Sequence, residues 1–144
     1  MNFVNSNSDI GGTFESSSQT LFLSNFGNDD DFIQGVLHHE FAHLLLSKYK
    51  NKFDLDSWLN ANPYGFEYTT NGINPGFYHF DSGAYYYDQG FVNNHSSKSF
   101  DEDFAEFFRE YHMNREKLKK LTKIYNRLEN KYYILESFLS KIWY

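Results

Sequence analysis

Three histidines and a glutamate interrupt an otherwise apolar run, "LHHEFAHLLL" at Leu37–Leu46, and five of its residues are in the order HExxH: His39, Glu40, Phe41, Ala42, His43. On an α-helix, residues i and i+4 share a face, so the two imidazoles can converge on one ion at roughly 2.0–2.1 Å from each nitrogen. Glu40, one position after His39, can reach a water on that ion without binding the ion, which is the placement of a general base. Zinc suits imidazole ligands and lowers the pKa of bound water to about 7. The expected chemistry is therefore hydrolysis of a peptide bond, with Glu40 activating the zinc-bound water and passing its proton to the leaving amine. The same pattern arises by chance in many chains, and a histidine on an apolar face is often only a hydrogen-bonded core residue. Burial of three such groups on one helix favours the metal, which would offset their desolvation. His38 is expected to be exposed or supporting, with no catalytic role.

Two histidines leave a catalytic zinc one protein ligand short. "DEDFAEFF" offers Asp101, Glu102, Asp103 and Glu106. Glu102 and Glu106 are i and i+4 on a predicted helix, so one can bind zinc while the other receives the N–H of a ligand histidine. Ser99 to Glu102 also fits a capping box, in which Glu102 would only cap the helix start. With HExxH upstream, the ligand role is the better fit.

These residues need elements to hold them. "NDDDFIQGVLHHEFAHLLLSKYK" reads as a helix with acidic residues at its start and lysines at its end, apolar over enough of its circumference to lie inside the domain. Ahead of it, Met1 to Asp9 reads as a polar arm, Gly11 to Gly12 as a turn, and "TFESSSQTLFLSNFG" as two β-prone runs of a small sheet. Asn51 to Ser99 holds both prolines and many Gly, Asn and Tyr residues, so it reads as irregular, with one short helix near Ser57 to Ala61. Long irregular stretches in small domains are usually functional. Helical periodicity returns with one helix from about Phe100 to Met113 and one or two beyond Arg115.

The 144 residues form one expected domain, 1–144, with 1–9 as a flexible arm. A formal charge of −6 argues against a nucleic-acid or anionic-membrane binder. The nine basic and four acidic residues of Arg109 to Tyr144 read as a solvated helical face. With no cysteine, any metal must be held by nitrogen and oxygen. No apolar run approaches the roughly 20 residues of a membrane span. "MNFVNSNSDI" has neither a basic start nor an apolar signal core, so the protein is expected to stay inside or to lack its export signal here.

HExxH followed by E-x-x-x-[DE] on a later helix resembles the gluzincin metallopeptidases. "EDFAEFF" is similar to the corresponding helix in the catalytic domain of anthrax lethal factor and in the Pro-Pro endopeptidases. "HHEFAH" with "GFVNNHSS" and "DEDFAEFF" looks like the zinc-binding metallopeptidases of bacterial substrate-import lipoproteins, over roughly 32–113. The resemblance implies a zincin-like fold, zinc held by His39, His43 and Glu102, Glu40 as base and Glu106 supporting a ligand histidine. It also implies peptide or protein substrates and export to the envelope. Such relatives commonly carry an oxyanion-stabilising tyrosine seven residues before the ligand glutamate. Here that position is His95, whose imidazole can donate the same hydrogen bond, serve as an extra ligand, or mark reduced activity. Tyr85, Tyr86 and Tyr87 are alternative donors or packing residues, and His79 and His112 are expected to be structural or exposed.

The expected fold is α+β: a small N-terminal sheet against the HExxH helix, with a C-terminal helical layer. The expected function is zinc-dependent peptide hydrolysis. The competing reading is a non-catalytic, zinc-stabilised module on a degenerate peptidase fold that binds a protein or glycan-import partner. A helical bundle with metal-free, hydrogen-bonded histidines ranks behind both.

Overall fold

The computed structural model describes residues 2–6, 12–15, 17–18, 20–24, 29–73 and 82–143. The motif helix, α1, runs over Asp30–Tyr49. Its start is fixed by Asp29, whose carboxylate accepts the Phe32 N–H at 3.1 Å, and by Asp30 and Asp31 against the positive end of the helix dipole. Asp54 caps α2, Leu55–Asn60, in the same way through Ser57 N–H. Further helices follow at α3, Ser82–Gln89; α4, Phe100–Met113; α5, Arg115–Thr122; and α6, Asn126–Trp143.

Among the helices, α1 and α4 make the most extensive contact. α1 buries Ala42, Leu45 and Leu46, while Ile33, Leu37, Phe41 and Leu44 are only half-buried, so the helix lies at the edge of the core rather than enclosed by it. α4 is buried on most of its circumference: Phe104, Ala105, Phe107 and Phe108 are all within 1% of full burial. Leu128, Leu135 and Phe138 of α6 close the layer from the other side. Phe53, between α1 and α2, meets Trp58, Phe104 and Phe138 at ring centroids of 5.5, 5.2 and 5.2 Å, the latter two edge-to-face. Truncating a ring so placed, as in Phe104→Ala, costs about 3–5 kcal/mol.

Three short strands precede α1: β1, Asn2–Ser6; β2, Gly12–Glu15; and β3, Thr20–Ser24. Their order is β1-β3-β2, with β1 parallel to β3 (Asn2 opposite Thr20) and β2 antiparallel to it (Gly12 opposite Leu23). β1 falls in the stretch expected to be an arm.

The expected α+β class is corrected: the fold is mostly helical. Helices of 20, 14 and 18 residues dominate, against strands of five, four and five. Among the described residues, the apolar core cluster is drawn from the helices and Phe53. The physical reason lies in where the large apolar residues fall. The Asn/Ser-rich start offers short runs that can cover little surface, whereas Phe, Tyr and Leu recur at helical spacing from Phe100 onward and bury each other without a sheet. The stretch expected to be irregular also holds α3, whose run of tyrosines carries little turn chemistry.

Candidate metal centre

One turn of α1 and one turn of α4 face each other. His39 and His43 point from α1, their Nε2 atoms 3.2 Å apart. Glu102 of α4 reaches both: Oε2 lies 3.0 Å from His39 Nε2, and Oε1 lies 3.6 Å from His43 Nε2. A 3₁₀ turn, His95–Ser97, brings a third imidazole, with His95 Nε2 2.7 Å from Glu102 Oε2. Glu106 stands behind His39 instead, its Oε1 2.9 Å from Nδ1. Ligand atoms of His39, His95, Glu102 and Glu106 all lie within 4.8 Å of one another. Glu106 joins that group through the far edge of the His39 ring, whereas His43 shares the near side with Glu102.

The donor set fits zinc. Imidazole nitrogen and carboxylate oxygen are its usual ligands in a chain without thiols. The short contacts are also poorly aligned as hydrogen bonds: Glu102 Oε2 is shielded from water, yet neither nearby ring nitrogen donates to it along a good N–H direction. His39 Nδ1 is likewise close to Glu106 but off the ideal direction, so the distance is the firmer observation.

Electrostatics agree. Burial would raise the Glu102 pKa, but the imidazoles of His39, His43 and His95 outweigh it and hold it at about 2. Burial would lower His39, but Glu102 and Glu106 outweigh it and push it up to about 9. Burial, followed by the neighbouring His39, lowers His43. In the metal-free protein one proton therefore sits on His39 among the carboxylates, and a cation is the natural replacement for it.

The supporting contacts explain the placement. Ser99 caps α4 by accepting the Glu102 N–H at 3.2 Å, so half of the capping box forms. The Glu102 carboxylate goes to the histidines, and the two readings of Glu102 are thereby compatible. Glu106 Oε2 receives the Asn93 amide at 2.7 Å and lies 3.7 Å from Arg109 Nη1. Arg109 lies close against Gly35, where an added Cβ would come within 2.9 Å of its Nε. Neither Asn93 nor Arg109 stood out in the sequence. The Asn-x-x-Ser spacing of a side-chain-capped turn was the one available signal for Asn93.

Asp103, a candidate ligand by sequence, points elsewhere. It is fully buried, and its Oδ2 accepts from Lys131 Nζ at 2.7 Å, Tyr68 OH at 2.7 Å and Trp58 Nε1 at 2.9 Å. Lys131 also donates to Gly90 O at 2.8 Å, and its ammonium stands 4.2 Å from the Phe91 ring centre. Burial pulls Asp103 up and Lys131 down, and their ion pair opposes both shifts. The expectation of a wholly solvated basic C-terminal face is corrected here, since Lys131 has no exposed surface.

His38 turns away from the centre and stacks on His112 at 4.9 Å. Burial depresses His112 to about 4. Tyr86 donates to Ile73 O at 3.4 Å and Tyr87 packs on Tyr125, so both act in packing. Asp101 is exposed. Glu40 is buried on α1, and His79 lies outside the described residues.

Comparison with known proteins gives one family whose model matches residues 8–144, described as "putative zinc-binding metallo-peptidase". No curated protein and no solved structure matches the chain. Among the described residues, no helix is long and apolar enough to cross a membrane.

Proposed function

The chain belongs to that zinc-binding metallo-peptidase family, and from this premise we propose a zinc-dependent peptidase of gluzincin type, with His39, His43 and Glu102 as ligands. The observation that carries the proposal is the convergence of two imidazole Nε2 atoms and the Glu102 carboxylate. Bound zinc supplies positive charge that makes water acidic near neutral pH and polarises a carbonyl. Glu106 orients His39 through its carboxylate, 2.9 Å from Nδ1. Glu40, buried next to His39, takes a proton on its carboxylate and returns it to the leaving amide nitrogen. His95, half-exposed at the rim, donates from Nε2 to the oxygen that gains charge. Peptides or proteins are the substrates. By resemblance to import-associated relatives, the protein acts in the envelope.

A second reading has one observation in its favour: His95 stands 2.7 Å from Glu102 and so occupies ground that substrate would need, as in a closed, zinc-stabilised binding module. Glu40→Gln separates the two. The variant should keep one zinc per chain by elemental mass spectrometry while losing hydrolysis of a peptide library by about a hundredfold or more. A parent that binds zinc yet cleaves nothing the variant does not would favour the module.

A further inference from the structure

Asn93 connects two parts of the centre. Its side-chain nitrogen donates to Glu106 Oε2 at 2.7 Å, while its Oδ1 accepts the Ser96 N–H at 2.9 Å. Ser96, fully buried, returns a hydrogen bond from Oγ to Asn93 O at 2.6 Å. Only one amide orientation satisfies both side-chain contacts. Flipped, the amide would set its oxygen against a carboxylate oxygen and its NH₂ against a backbone N–H. The 3₁₀ turn so fixed is the one that carries His95, and the carboxylate so held is the one behind His39.

We infer that Asn93 is a positioning residue of the metal centre, setting Glu106 against His39 and His95 against Glu102 through one side chain. This rests on the reading of His39, His43 and Glu102 as ligands. A ligand imidazole is held by the group at its other nitrogen, and that group in turn by its own donors; loss of such outer contacts typically weakens metal binding 10–100-fold. Asn93 is the nearer donor to Glu106 Oε2, at 2.7 Å against 3.7 Å for Arg109. Asn93 therefore carries most of that constraint.

The test is zinc affinity by competition with a chromogenic chelator on the full chain, in Asn93→Asp, Asn93→Ser and Ser97→Ala. Asn93→Asp keeps an acceptor for Ser96 N–H but faces Glu106 with a second carboxylate, and Asn93→Ser removes the reach to Glu106. Ser97→Ala loosens the same turn, by losing the contacts of its Oγ with Ile73 N–H and Asn94 O, without touching Glu106. Both Asn93 variants should lose zinc affinity tenfold or more, and the visible bands of the cobalt-substituted protein should shift. Ser97→Ala should lower the melting temperature and leave zinc affinity within threefold of the parent. Asn93 variants within threefold of the parent, or a Ser97→Ala loss equal to theirs, would overturn the inference alone. A parent that takes up no zinc would overturn the ligand reading and the inference with it.

Discussion

Consecutive residues of α4, Glu102 and Asp103, head two carboxylate clusters built to opposite ends. Around Asp103, one oxygen collects three donors from Trp58, Tyr68 and Lys131; Trp58, Asp103 and Lys131 are fully buried and Tyr68 is half-buried. Around Glu102, the partners are imidazoles that can give up a proton, the contacts are misaligned, and the site keeps partial exposure. A permanent cation with well-placed hydrogen bonds closes a site and makes it an anchor. Titratable nitrogens around a shared point leave it open to a metal. The difference shows that carboxylate density alone says little about ligation; the chemistry of the partners decides.

The contrast can be broken first at the anchor. Lys131→Met strands the Asp103 carboxylate in the core and should cost about 3–5 kcal/mol of stability in urea unfolding. Asp103→Asn added to it should recover part of that loss, because no uncompensated charge remains. The metal side should respond next. Zinc at a hundred times its dissociation constant should stabilise the parent by about 2.7 kcal/mol, and this difference between zinc-loaded and metal-free protein should vanish in His43→Ala and Glu102→Ala. Thermal melts with and without chelator would settle it.

A pH series sharpens the comparison with a smaller effect. His39 is raised from 6.5 to about 9 in the folded protein, so its contribution is fully present below pH 6.5 and is lost as pH rises through 9. Glu102 is depressed from 4.5 to about 2, so its contribution is present above pH 4.5 and is lost as pH falls toward 2. Both describe one interaction, which is strongest between about pH 4.5 and 6.5. The metal-free protein should therefore weaken from pH 6.5 to 9 while the zinc form does not, and the gap between their melting temperatures should widen. The smallest effect is expected from Gly35→Ala. Its Cβ would push the Arg109 guanidinium away from Glu106, lowering zinc affinity by a few-fold at most, while helix propensity gains up to about 1 kcal/mol.

Much of the candidate site was legible because its spacing is local. His39 and His43, like Glu102 and Glu106, are one helical turn apart, and the helix expected from about Phe100 to Met113 is α4 as it stands. What the sequence could not decide was direction. Asp101, Glu102, Asp103 and Glu106 are equivalent as residue types. Which of them meets the histidines and which meets Lys131 depends on where α1 and α6 dock. Lys131 was hidden for the same reason: among nine basic residues of the C-terminal stretch, nothing local distinguishes the one that is buried. The balance of sheet and helix was misjudged because β-prone runs announce strands without revealing how short these are beside helices of 20, 14 and 18 residues.

Neighbouring positions on an α-helix differ by about 100° of rotation and 1.5 Å of rise. That step is all that separates the carboxylate paired with Lys131 from the one among the histidines, so α4 has a register lock. Sliding the sequence by one residue would put Asp103 toward the imidazoles and Phe104 toward Lys131, or, in the other direction, Asp101 toward the imidazoles and Glu102 toward Lys131. Insertions and deletions between Phe100 and Glu106 should thus be far less tolerated than substitutions, whatever chemistry the centre performs.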